Sequence, residues 1–131
     1  MKIQKIRNWL WLSVATSALV VGFLPASALA AGDAAAGKTI YDTNCTSCHG
    51  PMGAGDGPVG AALQPPPRNF GEGDFAFDTD GDGTKGSDAD LTNVITKGAM
   101  AYGGSPLMAP WPMLSATDVE NVIVYIRTLK Q

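Results

Sequence analysis

The sequence predicts an all-α chain of three main helices joined by long loops. Three observations carry this. Apolar residues recur at helical spacing in the last segment: Val119, Val122, Ile123, Ile126 and Leu129. Helix-capping patterns stand before two segments, at Ser87/Asp90 and Ser115/Asp118. No stretch shows the alternation of a half-buried strand, and no internal repeat is visible.

The first thirty residues are not expected to be domain material. Lys2, Lys5 and Arg7 form a basic start, Trp9 to Leu24 is an apolar run, and Pro25 breaks it. Ala28-Leu29-Ala30 then reads as a cleavage site, so residues 1–30 are expected to be a cleaved secretory signal peptide. At 16 residues the run is short for a membrane span of about 20, although a retained anchor is the alternative. Residues 31–131 would be the domain, with no membrane span of its own. All twelve acidic residues lie there with only six of the nine basic ones, a net charge of −6. Such a surface argues against nucleic acid and anionic lipid as partners and fits a protein partner with a basic docking patch.

Within the domain, Asp33 can cap a first helix over Ala34 to Asn44. Gly37 inside it costs about 1 kcal/mol against Ala, which a close approach by another helix would explain. Residues 50–70 are rich in Gly and Pro and include Pro65-Pro66-Pro67, which excludes a regular helix or inner strand. Residues 71–87 form an acidic Gly/Asp loop. A second helix is expected from Asp88 to about Lys97, ended by Gly98. Another loop over Ala99 to Leu114 precedes the third helix, whose last turn carries Arg127 and Lys130 where the helix dipole favours cations.

Loops of this length are uncommon in a compact domain unless functional. Three modest helices also bury little apolar surface, so something other than side chains is expected to fill the centre. Cys45-Thr46-Ser47-Cys48-His49 says what. C-x-x-C-H is the attachment signature of c-type haem. Thiols at i and i+3 lie on one side of a helical turn, where they can add to the two vinyl groups of one porphyrin, and the next residue offers an imidazole to the iron. A thioredoxin-like dithiol would need a βαβ pattern. Zinc would need four ligands, and two Cys with one His fall short.

His49 is the only histidine, so a bis-histidine haem within one chain is excluded. The sixth position must then be taken by Met, Lys, Tyr, the chain terminus or water, or stay empty. Met108 lies mid-loop between Pro106 and Pro110, where an extended chain can cross the distal face. Met100 is the alternative or a core residue. Met52 is too close to His49 in sequence, and Met113 looks like an apolar contact at the entry to the last helix.

These features resemble the class I c-type cytochromes over most of the expected domain. The resemblance runs from Tyr41-x-x-x-Cys45-x-x-Cys48-His49-Gly50 through Gly53-x-Gly55-x-Gly57-Pro58 and Pro67-Arg68-Asn69-Phe70. It closes with Met108-Ala109-Pro110-Trp111, Leu114-Ser115 and Val124-Tyr125-Ile126-Arg127. It implies a cytochrome c fold, three main helices and long loops wrapped around one covalently bound haem. The first and last helices would cross closely, accounting for Gly37. The Pro58 carbonyl would accept the proximal imidazole N–H. Trp111 and Tyr125 would pack on or near the ring, and Arg68 would neutralise a propionate.

The expected function is a monomeric electron carrier rather than an enzyme, passing single electrons between redox partners outside the cytoplasm. Periplasm is the expected compartment, or thylakoid lumen in an oxygenic phototroph. The competing readings are an enzyme subunit or sensor with an open sixth position, and a calcium-responsive haem module. The last arises because Asp78-Thr79-Asp80-Gly81-Asp82-Gly83 matches the first half of an EF-hand loop. Asp78, Asp80, Asp82 and Thr84 are the candidate calcium ligands, with Asp88 or Asp90 as further oxygen donors. Position twelve is Ala89 instead of Glu, and a solvated acidic loop is the alternative.

Overall fold

Helix α1 (Ala34–Asn44) and helix α4 (Ala116–Thr128) form the most extensive helix pairing among the described residues. They appear in a computed structural model that describes residues 32–131. The expected signal peptide and its cleavage site lie outside the described residues. Between the two helices come a one-turn helix α2 (Thr46–His49) and helix α3 (Asp88–Lys97), with 3-10 turns at Gly60–Ala62, Phe70–Glu72 and Ala99–Tyr102. The described residues contain no strand, and none of their helices is long and apolar enough to cross a membrane.

The three expected helices occur where local chemistry places them. Asp33 caps α1 by accepting from the backbone N–H groups of Ala35 and Ala36. Ser87 with Asp90, and Ser115 with Asp118, form complete capping boxes. The core gathers Tyr41 from α1, Leu91 and Ile95 from α3, and Val119, Val122, Ile123, Tyr125 and Ile126 from α4, with Phe70 and Leu129.

Gly37 sits at the α1–α4 crossing. A Cβ there would lie 1.9 Å from the Asn121 carbonyl oxygen, so the two backbones touch where the glycine is. The Asn121 side chain strengthens the same junction by accepting from the Asp33 N–H at 2.7 Å.

The glycine-rich segment after α2 is organised by that helix's unsatisfied carbonyls. Gly55 N–H donates to His49 O, Gly57 N–H to Cys48 O and Val59 N–H to Ser47 O. The approach is close enough that a Cβ on Gly60 would fall 1.9 Å from Cys48 O. In the other long loop, Ala99 N–H donates to Met108 O and Trp111 N–H to Ile95 O, pinning residues 99–111 to the end of α3.

Candidate functional site

α2 carries the C-x-x-C-H motif into the wall of a cavity of about 900 Å³, at the upper end of the range of roughly 300–1,000 Å³ for small-molecule sites. Cys45, Cys48 and His49 line it, together with Pro65–Arg68, Phe70, Phe75, Leu91, Val94, Ile95, Met108 and Trp111. Every element after α1 contributes to this wall except the Gly60–Ala62 turn. The donor set suits a covalently held iron porphyrin: two unpaired thiols three residues apart, an adjoining imidazole and a thioether on one largely apolar wall.

The imidazole is oriented. His49 Nδ1 lies 3.2 Å from the Arg68 carbonyl oxygen. A carbonyl can only accept, so Nδ1 carries the proton and Nε2 keeps its lone pair for a metal. Burial lowers the His49 pKa, opposed by the hydrogen bond to Arg68 O, so the ring is neutral near pH 7. Burial, reinforced by nearby Cys48, pushes the Cys45 thiol up to about 11. A thiol held protonated at neutral pH is a poor redox nucleophile, which speaks against a dithiol oxidoreductase.

The acceptor is Arg68, which corrects the expectation for Pro58. Gly57 and Val59 are held against the carbonyl end of α2 by their N–H groups, and Pro58 between them does not line the cavity. The chain that reaches the imidazole is the one leaving Pro65–Pro67. Arg68 does line the cavity as expected, and its guanidinium lies 3.9 Å from Asp74.

Tyr125 is also placed differently. It is buried away from the cavity at the α1–α4 crossing, edge-on to Tyr41 with ring centroids 5.1 Å apart. Helix periodicity could mark it as buried without saying against what. Trp111 lines the cavity.

Among the described residues Met108 is the sole methionine lining the cavity. Met100 is 70% exposed, which corrects its reading as a core residue, and Met52 is also exposed. Met113 is 71% exposed and is not among the residues packed against the core, unlike the apolar contact expected of it. Its neighbour Leu114 packs there instead.

Sequence reasoning missed Phe70 as a site residue. Its ring stacks on the His49 imidazole with centroids 4.5 Å apart and planes 16° apart. Its position after Pro67-Arg68-Asn69 was visible, but no local signal says that an aromatic there meets the imidazole.

The acidic loop brings Asp78, Asp80 and Asp82 together, with one carboxylate oxygen from each mutually within 4.8 Å. The backbone N–H of Thr84, the fourth expected ligand, donates to the Asp82 carboxylate. The expected further donors are committed elsewhere. Asp90 accepts from Thr79 and Ser87, and Asp88 pairs with Arg127. Asp90 is buried, and the Thr79 N–H is the main cause of its lowered pKa.

Residues 34–130 match the family model described as cytochrome c. The chain is 38% identical over 101 residues to cytochrome c-554(547) of Halothiobacillus neapolitanus, covering 76% of this chain and 100% of that protein. A chain in the structure of a reducing HAO-like protein complex from Kuenenia stuttgartiensis superposes with a TM-score of 0.60 at 31% identity. That match covers 72% of this chain and 41% of the other, so this protein spans under half of that structural neighbour.

Proposed function

The chain belongs to the cytochrome c family, and on that premise we propose that it shuttles single electrons between redox partners outside the cytoplasm, using one covalently bound haem c. Cys45 and Cys48 would form the thioether bonds to the haem, and His49 and Met108 would ligate its iron. Bound there, the haem supplies a one-electron couple that Met ligation shifts to higher potential than bis-His ligation. The observation that carries this reading is the convergence of both thiols, the imidazole and one methionine on a single cavity.

The chain's own groups do the rest. The Arg68 carbonyl holds the proton of His49 Nδ1 and so keeps Nε2 directed as a ligand. Leu91, Val94, Ile95, Leu114, Val122 and Ile126 exclude water from the cavity, which disfavours the extra positive charge of the oxidised state. Arg68, which lines the cavity, would neutralise a propionate. The acidic surface favours a donor or acceptor with a basic patch. Export to the periplasm, a monomeric state and the absence of enzymatic activity belong to the same reading. Asp78, Asp80 and Asp82 are proposed as a calcium-binding loop.

Pyridine haemochrome analysis and mass spectrometry of the purified protein test the attachment. One covalent haem per chain is expected, and a mass without porphyrin refutes the reading. M108A should lower the potential and open the sixth position to carbon monoxide. An unchanged spectrum removes Met108 from the ligand set. Rapid carbon monoxide binding to the reduced wild type would favour an enzyme or sensor with an open site.

A further inference from the structure

Phe70 is fixed from several sides before it meets His49. Its backbone N–H donates to Gly53 O at 2.7 Å, and Gly53 N–H donates to Gly50 O at 3.1 Å. The buried Tyr41 hydroxyl donates to the same Gly50 carbonyl at 2.8 Å. Around the ring, Tyr41 packs edge-on at 6.3 Å and Phe75 lies on it at 6.1 Å, with 29° between planes. Gly53 leaves the space: a Cβ there would come within 3.0 Å of the Phe70 ring. At 9% exposure the ring has little room to turn.

A hydrogen bond from Nδ1 restrains the imidazole at one edge, but its broad angular tolerance still lets the ring plane swing. A flat neighbour at 4.5 Å and 16° removes the swing. We propose that Phe70 is a positioning residue whose ring sets the rotation of the His49 imidazole plane about the Nε2–iron bond. This rests on the reading of His49 as a haem ligand. An aliphatic residue could fill the same volume without defining a plane, so the two cases are separable.

The test uses the holoprotein, whose haem absorbance checks the ligation reading separately. In the reduced wild type, NMR should show nuclear Overhauser effects between the Phe70 and His49 ring protons. In the ferric state, F70L should shift and broaden the largest g value of the low-spin signal by electron paramagnetic resonance. F70Y, which keeps the flat ring, should retain the wild-type signal. Haem-loaded wild type without those Overhauser effects overturns the proposal. So does an F70L signal superimposable on wild type, even if its melting temperature falls, because Phe70 would then be packing alone. Should F70L fail to hold haem, the wild-type NMR measurement decides.

Discussion

Replacing Gly37 by Ala sets two effects of opposite sign against each other. Helix propensity favours Ala by about 1 kcal/mol. The structure opposes it, because the new Cβ would lie 1.9 Å from Asn121 O and 2.4 Å from the adjoining carbonyl carbon. Carbon–oxygen contact needs roughly 3.4 Å, so α1 and α4 would have to part by about 1.5 Å. Both clashing atoms are backbone of a helix and cannot rotate away. Even a 0.5–1 Å gap forfeits about a quarter to a half of a dispersion contact, and Tyr41, Val122 and Tyr125 are all buried near this junction. Taking the upper overpacking cost of about 3 kcal/mol and subtracting the propensity gain leaves a net loss of about 2 kcal/mol. For a domain of this size that lowers the melting temperature by roughly 8–16 °C. Thermal unfolding of the holoprotein followed by circular dichroism measures it. T39A is the control, on an exposed position of the same helix. It gains propensity without a clash and should be neutral or slightly stabilised. A G37A protein melting at or above wild type would refute the close-crossing argument.

Four further outcomes are expected. Asp90 is held well below its ordinary pKa by the Thr79 and Ser87 donors, so its stabilisation is complete above the unfolded carboxylate value of about 3.9 and is lost as pH falls below it. D90N should therefore show a shallower fall in melting temperature than wild type between about pH 4 and pH 2. Arg127 donates to Gly86 O and Asp88 and lies over the Phe75 ring at 5.7 Å. R127A should cost about 1 kcal/mol and speed proteolysis within residues 73–87, measured by limited digestion and mass spectrometry. Calcium at about 100 times its dissociation constant should stabilise the holoprotein by about 2.7 kcal/mol, and identical melting in calcium and in chelator would eliminate the loop as a site. Y41F removes the hydroxyl that holds Gly50 O, with an expected loss of about 1 kcal/mol in chemical denaturation.

The helices and their caps were legible because their causes are local. Asp33, Ser87/Asp90 and Ser115/Asp118 act within three residues of themselves, and covalent spacing places those groups whatever the rest of the chain does. The two thiols and the imidazole were legible for the same reason, since i, i+3 and i+4 on one helical turn need no tertiary contact to converge. Which carbonyl meets His49 was different. Pro58 and Arg68 both follow the motif in a loop, and the choice came from the N–H groups of Gly57 and Val59 satisfying α2's carbonyl end. Among Met100, Met108 and Met113, all near proline or glycine turns, only the fold of residues 99–111 against α3 separates a cavity-lining thioether from exposed ones. Periodicity marked Tyr125 as buried, but helix packing turned it towards Tyr41 and away from the cavity. Contacts between residues many positions apart depend on how whole elements pack, and that information is shared among distant side chains and written in no single segment.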